Sequence, residues 1–262
     1  MITAFLITLF AGLATSIGGL LATHKKILHR PMLAVALAFA AGVMLFVSFV
    51  EILPLGLATV ERGSVMEWLV YGAFFVGIVT VLMIDRVLPK SLNPNEVEGG
   101  EDHLSRNDTK TNKRLLRSGV IVAAVLALHN FPEGMSTFLA SYEDLTVGIA
   151  LAVAIAIHNI PEGIAVAAPI YAATKSRKKA FWWATISGLA EPLGALVAIA
   201  LLQLVIPPEF TGLLFGFVAG MMVFVAIDEL LPAARRYQTD KHQVVYGLIA
   251  GFAVVALSLL LL

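Results

Sequence analysis

Residues 41 to 54, AGVMLFVSFVEILP, return late in the chain as residues 219 to 232, AGMMVFVAIDELLP, with eight of fourteen positions identical. Glu51 and Pro54 of the first copy match Glu229 and Pro232 of the second. Carboxylates and prolines are rare inside apolar stretches of this kind, so the match marks a duplication rather than a shared vocabulary of Ala, Gly, Val and Leu. At nearly the same offset, Gly12 to Gly18 (GLATSIG) resembles Gly188 to Gly194 (GLAEPLG). A weaker pair, Val70-Tyr71-Gly72 and Val245-Tyr246-Gly247, completes the series.

The stretches that carry these copies are long and apolar. The chain has 262 residues, 59% of them apolar and 14% charged, with a mean hydropathy of +0.88. Apolar segments of about 20 residues cross a hydrocarbon core ~30 Å thick as helices. Eight are expected, at about 2–23, 31–54, 68–88, 118–140, 147–171, 181–206, 212–233 and 243–262. The fold class is therefore an all-α polytopic membrane protein, a single transmembrane domain covering 1–262. Spans 1 to 3 are a copy of spans 6 to 8, and spans 4 and 5 form a matched pair between them. An odd offset of five spans makes the copies run in opposite directions, a 3+2+3 inverted repeat. Such repeats with a central site are characteristic of secondary transporters.

Loops are short except for 89–117, whose Asn, Glu, Asp, Lys and Gly content predicts a flexible, solvated connector. Cysteine is absent, which excludes disulfides, thiolate metal sites and thiol catalysis and leaves the redox compartment open. The first segment lacks a basic leader region and reads as a retained span. Net charge is zero, but 17 of the 18 Lys and Arg residues fall in alternate loops, with Arg62 on the other side. The positive-inside rule then places loops 1–2, 3–4, 5–6 and 7–8 in the cytoplasm and both termini outside.

Two copies of a six-residue phrase stand in the central spans: His129-Asn130-Phe131-Pro132-Glu133-Gly134 and His158-Asn159-Ile160-Pro161-Glu162-Gly163. His and Glu four residues apart stack on one helix face, with Asn beside them. Two such faces meeting would present two imidazoles, two carboxylates and two amides. Pro132 and Pro161 donate no backbone hydrogen bond, which bends a helix and frees the carbonyls of Leu128 and Ile157 for another partner. Gly134 and Gly163 permit close helix approach. Glu191 in span 6, also followed by proline, adds a third carboxylate at comparable depth. With no Lys or Arg at that depth, either a bound divalent metal or protonation must neutralise the three. Imidazole, carboxylate and amide without thiolate suit Zn(II), Fe(II), Mn(II), Co(II) or Ni(II) better than Cu(I). Shared carboxylates also leave room for two ions close together.

Other polar residues carry less. Glu51 near the outer end of span 2, and Asp228 with Glu229 near the inner end of span 7, fit either carboxylates at the two mouths or side chains that snorkel to the interface. Met44 and Met222 are expected to pack rather than to ligate. His103 with Glu101 and Asp102 fits a weak metal site in the long loop, but a solvated charge run is the stronger reading. Asp85 and Arg86 look like an interfacial end to span 3.

The two HNxPEG phrases, the Glu191-Pro192 pair, eight spans with a long third loop and external termini together resemble the ZIP (ZRT/IRT-like) metal-ion transporters, over essentially the whole chain. The likeness is closest to a bacterial branch with HNxPEG in both central helices. It implies uptake of divalent transition metals into the cytoplasm across the cell (inner) membrane, zinc being the commonest cargo and iron, manganese, cobalt or cadmium often accepted. The resemblance also implies that His129, Glu133, His158 and Glu162 form one metal position. Asn130, Asn159 and Glu191, sharing Glu133 and Glu162, would form a second. It further implies movement of spans 1, 4, 5 and 6 against the others, usually within a homodimer in the lipid bilayer. The long loop departs from the His-rich versions of many relatives.

A transporter with no resident cofactor, no enzymatic activity and no nucleic-acid partner is the leading expectation. An intramembrane metalloenzyme using the same ligands to activate water is the alternative; a third histidine or an HExxH phrase, which would favour it, is missing. A channel would share the site but would not saturate at low metal concentration.

Overall fold

The computed structural model describes residues 1–24, 29–87, 109–202 and 208–261. Among the described residues there is no strand, and the long helices number eight. They are α1 (Ile2–Leu21), α2 (Arg30–Ala58), α3 (Val65–Val87), α4 (Thr109–Glu143), α5 (Leu145–Thr174), α6 (Arg177–Leu202), α7 (Glu209–Tyr237) and α8 (Gln243–Leu261). All but α4 are long and apolar enough by composition alone to cross a membrane. Helix α4 is the longest, at 35 residues. It begins at Thr109 rather than near 118, so Lys110, Lys113, Arg114 and Arg117 belong to a helical extension and not to the connector. The remainder of that loop, with Glu101, Asp102 and His103, lies outside the described residues, as do Lys25, Lys26, Lys90 and Arg106.

The matching stretches 41–54 and 219–232 also share a backbone detail. Both copies turn π-helical just before their proline, over Ser48–Ile52 in α2 and Val225–Leu230 in α7. The Leu53 N–H donates to Ser48 O, and the Leu231 N–H donates to Ala226 O. These are i→i−5 bonds at matching positions of the repeat. Pro54 and Pro232 cannot donate in the next turn, and a widened turn is one way a helix absorbs that loss.

Packing follows the same symmetry. Helix α3 lies on α7, and α8 lies on α2; α1 lies on α5, and α4 lies on α6; α4 and α5 pack on each other. Exchanging α1–α3 with α6–α8, and α4 with α5, turns α3–α7 into α8–α2 and α1–α5 into α6–α4, and leaves α4–α5 as it is. Between α1 and α6 the backbones nearly touch: the Gly188 carbonyl lies where a Gly12 side chain would begin, and the Gly12 carbonyl lies where a Gly188 side chain would begin. These two glycines occupy matching positions of the GLATSIG and GLAEPLG stretches.

Helix α5 is the most buried of the membrane-length helices together with α2 and α7, while α3 and α8 are peripheral and turn Phe75, Val76, Tyr246 and Ile249 outward. The larger apolar core holds Met44, Phe138, Leu151, Ile155, Phe215 and Met222, so the two methionines pack as expected. Arg30 Nη2 donates to Arg236 O at 2.9 Å, which brings the basic start of α2 and the basic end of α7 to one face of the bundle.

Candidate metal site

Helices α4 and α5 run unbroken through Pro132 and Pro161, and their phrases face each other at the centre of the bundle. A Cβ on Gly134 would collide with the backbone of Glu191 in α6, and one on Gly163 with the carbonyl of Thr15 in α1. The glycines thus let α6 and α1 close against the two phrases from either side. Helix α6 itself breaks at Leu189, between segments Arg177–Gly188 and Ala190–Leu202. Pro192 supplies no donor for the Gly188 carbonyl, and the break sets Glu191 in the first turn of the new segment.

All seven residues singled out in the sequence are buried: His129 is 2% exposed, and Asn130, Glu133, His158, Asn159, Glu162 and Glu191 are 0% exposed. His158 Nε2 lies 3.0 Å from Glu133 Oε1, across the two helices. His129 Nε2 lies 3.8 Å from Glu133 Oε2 on its own helix and 4.0 Å from Glu162 Oε1 on the other. Asn159 Nδ2 donates to Glu191 Oε1 at 2.5 Å and to the Ala11 carbonyl of α1 at 2.9 Å. The structure therefore brings His129, Glu133, His158 and Glu162 into one contact group and joins Asn159 to Glu191. Asn130 is buried beside them on α4 with both side-chain polar atoms unpartnered.

Hydrogen-bonding shortfall is concentrated here. Among the described residues, the buried side-chain N and O atoms without a hydrogen bond of good geometry all belong to these seven residues, apart from Thr15 Oγ1 and Ser187 Oγ. A buried polar group left in this state costs about 1–3 kcal/mol, so a cluster of them is a strong demand for a polar or ionic guest. Among the described residues, the charged groups acting on Glu133, Glu162 and Glu191 are histidines and other carboxylates, with no Lys or Arg. No three of the described His, Asp and Glu side chains are closed into a ready-made cage. Imidazole nitrogens, carboxylate oxygens and amide oxygens in one buried cluster suit a borderline divalent cation that trades its hydration shell for them.

Two features escaped the sequence. Asp85, assigned there to the end of a span, stands close enough to Asp228 and Glu229 for its charge to act on both, and Glu229 in turn acts on Glu162. Thr15 sits buried in the α1–α6 seam, its Oγ1 against Gly188 and without a hydrogen-bond partner.

The family model described as ZIP Zinc transporter matches residues 1–117 and 90–259. The zinc transporter ZupT of Corynebacterium aurimucosum is 52% identical over 262 residues, covering 98% of this chain and 96% of its own. That of Corynebacterium glutamicum is 51% identical, covering 100% and 99%, and that of Chlorobium phaeovibrioides is 49% identical, covering 99% and 97%. With a helical bundle of membrane length, a central imidazole and carboxylate cluster, and likeness over the whole chain, this multi-pass membrane protein belongs to the ZIP family of metal-ion transporters.

Proposed function

We propose that the chain carries divalent transition-metal ions, zinc foremost, through the site built by His129, Asn130, Glu133, His158, Asn159, Glu162 and Glu191, and delivers them to the cytoplasm across the cell (inner) membrane. The observation that carries this reading is the cluster of buried nitrogen and oxygen atoms on those seven residues that lack a hydrogen bond of good geometry. A hydrated ion arriving from outside exchanges water for these atoms, and neutral imidazole with ionised carboxylate is the form in which they bind it. The set is large enough for two adjacent ions that share Glu133 and Glu162. Mixed nitrogen and oxygen donors hold a borderline ion less tightly than thiolates would, which suits release. Iron, manganese, cobalt and cadmium fit the same donors.

The inverted relation between α1–α3 and α6–α8 supports alternating access, in which α1, α4, α5 and α6 shift against α2, α3, α7 and α8. The outward apolar faces of α3 and α8 suit lipid and the partner of a homodimer. The alternation of basic loops supports a cytoplasmic face formed by loops 1–2, 3–4, 5–6 and 7–8, with both termini outside.

The test is zinc uptake by the purified protein in proteoliposomes loaded with a zinc-sensitive dye. Saturable uptake, competed by the other metals and lost in Glu162→Ala, is expected. Equal uptake by the wild type, Glu162→Ala and His158→Ala would remove the assignment.

A further inference from the structure

One end of the bundle collects cations with no counter-charge beside them. Lys113 and Arg117 lie near the start of α4, Lys175 follows α5, and Arg177, Lys178 and Lys179 fill the first turn of α6; all six are exposed. Leu116 of α4, Ile170 of α5 and Ala180 of α6 belong to one apolar cluster, and α6 packs on both α4 and α5, so the six charges gather round one patch. Among the described residues, none of the six forms an ion pair.

Local physics argues against this placement. The amide end of a helix favours anions and repels cations, yet the first turn of α6 holds three cations and no acid. Lys175 stands at φ 53°, in left-handed backbone where glycine is the ordinary residue. Sorting of a loop to one side of a membrane needs basic residues in that loop, but not at these positions. What the positions share is the surface that continues from them. Trp182, Ile186, Leu189, Leu193 and Leu196 follow Lys178 at helical spacing and are each between 37% and 57% exposed. In a membrane protein an outward strip of this kind lies against acyl chains, which sets the cations at its head level with the lipid phosphates.

We propose that this patch binds an anionic phospholipid, whose acyl chains lie along the α6 strip and whose headgroup phosphate is held by Lys178 and Lys179. Trp182, one turn from Lys178, takes the interfacial position that an indole ring favours. Each cation near the surface of an anionic bilayer raises the preference for anionic lipid about fivefold, and the phosphate supplies the negative charge that both the six cations and the amide end of α6 lack. The lipid ties the start of α6, and with it the segment that leads to Glu191, to the bilayer surface.

The chain has three tryptophans, so Trp68→Phe with Trp183→Phe leaves Trp182 as a single fluorescent reporter beside the patch. The protein is reconstituted into mixed phosphatidylcholine and phosphatidylglycerol bilayers in which one lipid or the other is brominated, and quenching of Trp182 measures which lipid sits next to it. Phosphatidylglycerol is expected to be favoured about fivefold or more. Lys178→Gln with Lys179→Gln is expected to bring the two lipids to within about twofold of each other, and Lys178→Arg with Lys179→Arg to keep the preference. Arg235→Gln with Lys241→Gln removes as many exposed charges from the same end of the bundle and is expected to keep it too. Equal quenching by the two lipids, or equal loss in the two glutamine pairs, would overturn the proposal. Displacement of phosphatidylglycerol by added inorganic phosphate would give the patch to a free anion and overturn it as well. The readout needs no metal, so its failure leaves the transport reading intact.

Discussion

His158 Nε2 and Glu133 Oε1 stand 3.0 Å apart, so the histidine of one phrase is held by the glutamate of the other, while the symmetry-related pair, His129 and Glu162, is 4.0 Å apart. The two phrases thus meet in one cluster rather than two, and the cluster is not symmetric as it stands. The closer pair must part, or share itself with the ion, for either group to ligate a metal.

If His158 and Glu133 act as one unit, deleting either should do nearly all the damage. His158→Ala and Glu133→Ala are each expected to lower kcat/KM for zinc by roughly 100-fold or more, and the double variant by little beyond that. Initial rates of zinc uptake for the four proteins, normalised to inserted protein, check this. Multiplicative losses in the double variant would mean that the two residues serve separate steps.

The glycines next to the site make a second prediction. A side chain at Gly134 would enter the backbone of Glu191, and overpacking of this kind costs about 1–3 kcal/mol. Gly134→Ala is therefore expected to lower the melting temperature in detergent and to slow uptake, by pushing α6 away from α4. Gly72 in α3 has nothing within 4 Å of a built Cβ, and Gly72→Ala is expected to leave both measurements unchanged or to raise stability by some tenths of a kcal/mol. Equal behaviour of the two variants would count against the close α4–α6 contact.

How far the sequence reveals this arrangement depends on the physics at each position. The seven polar site residues stand out because ionisable groups are conspicuous against apolar neighbours, and helix periodicity then fixes which of them share a face. The repeat places Glu51 against Glu229 by the same reasoning. The π-helical turns before Pro54 and Pro232 are hidden, since a slip of one residue in a uniformly apolar stretch leaves no trace in hydropathy. The start of α4 at Thr109 is hidden for the opposite cause: Lys, Arg, Asn and Thr resemble a connector in composition, yet a helix already formed propagates through them readily. The approach of Asp85 to Asp228 and Glu229 is a tertiary relation between α3 and α7, and no local pattern encodes it.

Asp144 provides a stability effect expected to leave transport alone. It caps α5, accepting from the N–H of Thr146 at 2.8 Å and of Val147 at 3.2 Å, and loss of such a cap costs about 1 kcal/mol. Asp144→Ala is expected to unfold at a lower temperature with unchanged KM for zinc, whereas Asp144→Ser should recover most of the loss. A change in KM would place the α4–α5 junction on the ion's route.

The absence of cysteine from the chain turns its orientation into a direct measurement. Arg62 lies exposed between α2 and α3, and Lys178 lies exposed at the start of α6. The charge alternation assigns the two positions to opposite sides of the membrane, because a basic loop is retained in the cytoplasm while a short loop with a single arginine passes through. Arg62 and Lys178 are exposed and outside the proposed metal site, so the single variants Arg62→Cys and Lys178→Cys are both expected to transport normally. In intact cells a membrane-impermeant maleimide should label Arg62→Cys at once and Lys178→Cys only after permeabilisation. The reverse pattern would invert the protein and make the same site an exporter by geometry. Labelling of both positions in intact cells would mean that they share one face, which an α3–α5 segment of three crossings does not allow.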